Sequence, residues 1–268
     1  MKIFSFCNQK GGVGKTTTAV NLAAALSVQG KKVLLIDMDP QGNATSGVGI
    51  DKRSLRKTVY HLLISDMDIT EVVINDLETN ISVIPANKDL IGASIELIQI
   101  ENREFLLKNR ISSIKDKYDY ILIDCPPSLG FITLNALVAS DALIIPLQCE
   151  YYALEGLSEL IETFRIVKNR LSENLEIGGI VMTMADFRTN LTQQVIEEVR
   201  KHFKEKVFDT IISRNIKISE APSFGKSVIQ YDPNSKGAQN YTNLAKEFLN
   251  RFSPENISSK ERNYIVSS

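Results

Sequence analysis

Apolar residues fall along this chain in two rhythms. Short unbroken runs recur at Ile3–Cys7, Lys32–Ile36, Ile81–Pro85, Asp119–Asp124, Ala142–Leu147, Gly179–Met184 and Val207–Ile212. Runs of this length, bounded by polar or turn residues, predict strands buried on both faces. Between them the apolar positions space out at three and four residues. Ala19–Leu26, Thr58–Ile64, Leu90–Leu97 and Glu101–Lys115 read as helices. So do the stripes Leu157, Leu160, Ile161, Phe164, Val167 and Leu191, Val195, Val199, Phe203. The last helix, Ala238–Phe252, carries Tyr241, Leu244, Ala245, Phe248 and Phe252 on one face. Strand and helix alternate throughout. That predicts an α/β fold with a single doubly wound, mostly parallel sheet and helices on both faces, over residues 1–252. Ser253-Pro254 ends the last helix, and the polar tail 253–268 is expected to be disordered.

The polar stretches after the strands carry the chemistry. Asn8-Gln9-Lys10-Gly11-Gly12-Val13-Gly14-Lys15-Thr16-Thr17 joins the first strand to the first helix. Strand, glycine loop, helix is the setting of a phosphate-binding loop. Glycines let backbone N–H groups approach an anion closely, and the helix N-terminus adds unpaired donors and a positive dipole end. Lys15 would reach the β- and γ-phosphates of a nucleotide, and the Thr16 hydroxyl would ligate Mg²⁺. The strict pattern asks for glycine at position 9, where this chain has Gln9, and it adds a second lysine, Lys10.

Two further strands end in acids. Asp37 and Asp39 follow the second strand, before the turn Pro40-Gln41-Gly42, and Asp124 closes the strand that Pro126-Pro127 stops. Ligands of open α/β sheets sit at the carboxyl ends of the strands, so these acids share a rim with the phosphate loop. There they could organise water around Mg²⁺ and orient an attacking water. The run Lys52–Lys57 reads as a solvated face, and His61 as a helix residue without a role. Cys7, Cys125 and Cys149 lie singly in apolar surroundings and read as reduced core thiols.

Composition narrows the setting rather than the chemistry. Of 268 residues, 43% are hydrophobic and 24% charged, with a net charge of −1. Such a balance gives no global attraction to nucleic acid or to an anionic membrane, so any such binding must come from a local patch. No apolar run approaches the roughly 20 residues of a membrane span, and the N-terminus lacks signal-peptide character, so cytoplasm is the expectation.

The block Lys10–Thr17 resembles the deviant Walker A motif of the ParA/MinD family of ATPases. Asp37-Met38-Asp39-Pro40-Gln41-Gly42-Asn43 looks like the Walker A′ motif of its ParA/Soj branch, and Asp119–Gly130 like the corresponding Walker B region. This resemblance covers residues 1–252. It implies a phosphate-loop NTPase that uses Mg²⁺ with ATP, with Lys10, Lys15 and Asp39 in catalysis. Lys10 through Thr17 would hold the phosphates (Lys10, Gly11, Gly12, Val13, Gly14, Lys15, Thr16, Thr17), and Ser213 to Asn215 the adenine. Thr16, Asp39 and Asp124 would serve the metal. It also implies a homodimer in the ATP state, non-specific binding to double-stranded DNA through Arg188, Arg214 and Lys217, nucleoid association in that state, and a ParB-like centromere-binding partner. On sequence those three cations stand in loops without an acid four residues away. The polar face of the last helix is not rich in Lys or Arg, unlike the membrane-binding helix of MinD-like relatives, so no stable membrane insertion is expected. A MinD-like division-site ATPase and an ATP-dependent ligase or synthetase on the same fold remain as alternatives. Relatives of the nitrogenase iron protein hold their cluster through cysteines in glycine-rich loops, and neither loop is present here.

Overall fold

The computed structural model describes residues 2–65, 67–76 and 80–253. The tail from residue 254 onward, expected to be disordered, lies outside them. Seven strands form one sheet: β1 (Lys2–Phe6), β2 (Val33–Asp37), β3 (Ile74–Asp76), β4 (Ile81–Ile84), β5 (Tyr120–Asp124), β6 (Ala142–Gln148) and β7 (Glu176–Thr183). Their order is β3-β4-β2-β5-β1-β6-β7, parallel except for the antiparallel edge strand β3. The helices are α1 (Lys15–Val28), α2 (Asn43–Gly47), α3 (Val59–Ile64), α4 (Leu90–Glu96), α5 (Leu106–Ile111) and α6 (Phe131–Ala139). They continue with α7 (Ala153–Arg170), α8 (Asn190–Phe203), α9 (Ile216–Glu220), α10 (Val228–Tyr231) and α11 (Lys236–Phe252).

Both faces of the sheet are buried, which is why its strands are apolar without alternation. Ile3, Leu34, Ile36, Ile121, Ile123, Leu143 and Ile145 face one core, closed by α3 to α8. Phe4, Phe6, Val33, Leu35, Leu122 and Ile144 face the other, closed by α1, α10 and α11. Phe4 packs edge-on against Phe248 of α11 at 4.6 Å between ring centroids. Among the described residues no helix is long and apolar enough to cross a membrane.

Four local expectations differ from the structure. The run Val207–Ile212 is not a ladder strand. Phe208 and Ile212 donate to Ile180 and Met182 of β7, but Asp209 and Thr210 between them donate instead to the carboxylate of Glu247 on α11. The segment is therefore extended yet bowed off the sheet edge. The predicted helix Glu101–Lys115 is broken. Asn102 sits at φ +53, a single 3₁₀ turn follows at Arg103–Phe105, and α5 is only six residues long. Asn135 of α6 stabilises that break by accepting from Leu107 N and donating to Arg103 O. Strand β3 was invisible because Ile74-Asn75-Asp76 has no apolar run, and it pairs at an edge through backbone bonds. Leu191, expected in the core stripe of α8, is 41% exposed, and Thr192 is buried in that first turn instead, with Ile196 buried one turn on. The Thr189 cap, which accepts from Thr192 N, sets this rotation.

Candidate functional site

Strand β1 lies between β5 and β6, and β2 lies on the far side of β5. Parallel pairing puts all four carboxyl ends on one rim. The loop from Asn8 to Gly14 leaves β1 there. Gly12 and Gly14 take φ of +76 and +89, a left-handed backbone that L side chains rarely adopt. Gly14 caps α1 without any side-chain bond, and no acid stands in the first turn. The first N–H groups of α1 are thus free to meet an anion. Lys15, the first residue of α1, is nearly buried, and its ammonium donates to Lys10 O at 3.0 Å. Burial pushes its pKa down, while the carboxylates of Asp124 and Asp39 pull it up.

A cavity of about 400 Å³ opens over this loop, lined by Gly11, Gly12, Lys15, Thr16, Thr17 and Asp39. A second, of about 300 Å³, shares Gly14 and Thr17 with it and is lined by Thr183, Met184, Ser213, Arg214, Asn215 and Tyr241. Together they can receive a polyphosphate over the loop and a flat, half-apolar group beyond it. The Ser213–Asn215 stretch lines the second cavity. Ser213, however, is spent on Asn240, which accepts from both its N–H and its hydroxyl. Asn215 Oδ1 accepts from Lys217 N.

The three carboxylates have three different environments. Asp37 is fully buried, and its oxygens accept from Asp39 N, Thr45 N and the Thr45 hydroxyl. It braces the turn that carries Asp39 rather than facing the cavity. Asp39 lines the cavity, and its Oδ1 accepts from Gln41 N at 2.9 Å. Asp124 is also fully buried, but neither of its oxygens has a hydrogen-bond partner among the described residues. It stands opposite Asp37 in the β2–β5 register. Burial first, then the Asp37 charge, pushes the Asp124 carboxyl well above its ordinary range. The nearby Thr16 hydroxyl pulls the other way without closing a hydrogen bond. An orphaned buried carboxylate is costly unless something satisfies it. Among the described residues no cluster of three or more His, Cys, Asp or Glu could hold a metal by itself. Magnesium needs no such cluster. It is held by one or two carboxylates, with water and substrate phosphate filling the rest of its shell. The donors Thr16, Asp39 and Asp124 fit that pattern.

The loop lysine Lys10 has a partner within its own chain. Its ammonium pairs with Glu150, just past β6. Two of the three expected DNA-facing cations, Arg188 and Lys217, also have partners, at spacings other than four. Arg188 makes two bonds to Asp186, at 2.8 and 2.6 Å, and holds that acid down to about 2. Lys217 pairs with Glu220 at 3.0 Å. Arg214 is exposed and also lines the second cavity. Arg188, Arg214 and Lys217 are brought to the same rim by the segments after β7. Lys226, Ser46 and Pro127 line the larger cavity as well; sequence marked Pro127 only as a strand stop, and Lys226 and Ser46 not at all. Lys226 follows a turn more than 200 residues from the loop, so only the fold joins them.

A parallel sheet whose central strand delivers a glycine loop with two lysines, beside acids at two neighbouring strand ends, defines the class: a phosphate-loop nucleotide-binding protein of the deviant, two-lysine type. A family model described as an AAA domain matches residues 1–177. The sporulation initiation inhibitor protein Soj of Bacillus subtilis is 56% identical over 246 residues, 92% of this chain and 97% of that protein. A putative plasmid partition protein of Borrelia burgdorferi B31, solved with bound AMPPNP, is 31% identical with a TM-score of 0.79, over 94% of this chain and 99% of that one. Cobyrinic acid a,c-diamide synthase from Mycobacterium smegmatis, solved with bound ADP and magnesium, is 33% identical with a TM-score of 0.83, over 95% and 96%. The chain belongs to the ParA/Soj family of chromosome-partitioning ATPases.

Proposed function

We propose that this chain is a DNA-partitioning ATPase that binds Mg-ATP, pairs with a second copy in that state, holds DNA without sequence preference as the dimer, and lets go on hydrolysis. The observation that carries this is the convergence of Lys15, Thr16 and Asp39 on one cavity above a glycine loop, with the orphaned Asp124 buried near Lys15 and Thr16. Lys15 and the α1 N-terminus bind the β- and γ-phosphates. Magnesium, when bound, neutralises phosphate charge, with Thr16 and Asp124 holding it and its waters. Asp39 stands on a turn braced by Asp37, where it can orient the attacking water. Lys10 serves the nucleotide of the facing chain, in the manner of an arginine finger supplied in trans.

Exposed apolar side chains on the same rim support the pairing. Tyr151, Tyr152, Phe187, Ile216 and Phe224 are each at least 60% exposed, and each follows closely on a site segment. Arg188, Arg214 and Lys217 give a local cationic patch that contacts DNA phosphate and reads no bases. Asp186 and Glu220 offset part of that charge. A ParB-like DNA-bound protein is the stimulating partner, and the ATP dimer associates with the nucleoid.

The synthase likeness favours a second reading, an ATP-dependent ligase or synthetase. It predicts turnover that depends on a small carboxylic acid rather than on DNA. A MinD-like role predicts dependence on lipid, yet the last turn of α11 carries a single basic residue, Arg251. The deciding experiment measures ATP hydrolysis with DNA, anionic vesicles, a ParB candidate and candidate acids added separately. Stimulation by DNA with the ParB candidate is expected. Stimulation by lipid alone or by an acid alone would overturn the partitioning role.

A further inference from the structure

Lys10 is anchored at both ends to one short segment of the chain. Its backbone N–H donates to Asn8 Oδ1 at 3.0 Å, and Asn8 Nδ2 donates to Pro146 O of β6 at 2.9 Å. Its ammonium pairs with Glu150, two residues past the end of β6. Glu150 is itself placed by backbone bonds. It donates to Gln148 O at 2.8 Å and accepts from Ala153 N at 3.0 Å, while Cys149 N is tied to Thr183 O at 3.3 Å. The carboxylate is thus presented by a defined turn between β6 and α7, not by a wandering loop.

In the single chain, then, the Lys10 charge is taken up in cis. Both side chains keep close to half of their surface in water, 47% for Lys10 and 44% for Glu150. A pair that exposed is weak and can exchange. Exposed Tyr151 and Tyr152 follow Glu150 directly and stand edge-on to each other at 5.1 Å. A contact that covers them also covers the Lys10–Glu150 pair. We infer that Glu150 is the positioning residue of Lys10: it parks the amine in the unpaired chain, and two such pairs must open before two nucleotide-loaded chains can join. This rests on the reading that Lys10 serves the facing chain's nucleotide.

The test is the dimer dissociation constant with magnesium and AMPPNP, measured by sedimentation for the full chain and for Glu150→Gln, Glu150→Asp and Lys10→Ala. Glu150→Gln is expected to tighten the dimer by up to about fivefold per lysine, so up to about 25-fold for two, the range an exposed pair can supply. AMPPNP affinity of the unpaired chain should stay unchanged, and Glu150→Asp should return the dimer constant toward the original. Glu150→Gln should do nothing in a Lys10→Ala background, because the two effects run through one pair. A dimer constant that is unchanged or weaker in Glu150→Gln overturns the proposal, the weaker case meaning that the carboxylate contacts the facing chain. If Lys10→Ala itself pairs as well as the unmodified chain, the trans reading of Lys10 falls and the parking role with it. If Lys10→Ala fails to pair while Glu150→Gln has no effect, only the role of Glu150 falls.

Discussion

Three aspartates stand within one rim, and the structure separates them by what their oxygens touch. Asp37 is spent on Thr45 and the Asp39 backbone, Asp39 faces the cavity, and Asp124 is buried with no donor among the described residues. Sequence could place all three at strand ends but could not rank them, because a strand's terminal carboxylate looks the same whether it braces a turn or waits for a cation. Lys15 was legible because its spacing from the glycines fixes it on the first turn of α1. Its environment was not: burial disfavours its charge, and a phosphate would restore the balance. Lys15→Ala should therefore weaken ATP binding by about 3 kcal/mol, roughly two decades, the loss expected for a charge-assisted contact removed from a nearly buried site. A direct titration with fluorescent nucleotide checks it. Affinity within a fewfold of the unmodified chain would remove Lys15 from the phosphate site.

At the scale of elements, the sequence spoke clearly wherever an element buries a whole apolar face. Strands β1, β2, β5 and β6 and helices α7 and α11 all stand where their apolar patterns put them. It was silent where backbone contacts decide. The bowed 207–212 segment is shaped by Glu247, the break before α5 by Asn102 and Asn135, and β3 by edge pairing. The segment 221–228, which brings Lys226 and Pro222 to the cavity, is another such case. Gly225 has φ +61 and packs against Gly49, itself at φ +87, just past α2. A Cβ on Gly225 would lie 2.6 Å from Gly49 Cα. On the far side Val228 N donates to Asn21 Oδ1 of α1 at 2.7 Å. Three distant stretches meet at this joint. Gly225→Ala should destabilise the fold by about 2 kcal/mol, from left-handed strain plus a backbone displaced at the contact. It should also weaken nucleotide binding, because the displaced turn carries two cavity residues. Urea unfolding with an unchanged m-value reads the first effect. A midpoint equal to that of the unmodified chain would show that the joint yields without cost.

The whole molecule places its chemistry on one rim, and under the proposed trans role of Lys10 a single rim is incomplete. Asp39 and Lys15 of one chain share a cavity, but Lys10 stands at the start of the loop with its amine turned to Glu150 and away from that cavity's lining. On the proposed reading, what completes the site is the Lys10 of a second rim like this one. Mixing two damaged chains tests the arrangement. Lys10→Ala keeps Asp39, and Asp39→Ala keeps Lys10. In a heterodimer of the two, the nucleotide held by the Lys10→Ala chain sees its own Asp39 and, across the interface, the intact Lys10. That site is whole, while the other lacks both groups. If Lys10 acted within its own chain, neither site would be whole, since each chain would lack one of its own residues. Each variant alone should hydrolyse ATP at no more than a few per cent of the normal rate, the scale of loss when one charged catalytic group is removed. The mixture should recover activity in proportion to the heterodimer present, with one live site in each. Heterodimers that form, seen by sedimentation or by a tag on one chain, yet stay inactive would mean that Lys10 works in cis and that the rim is complete without a partner.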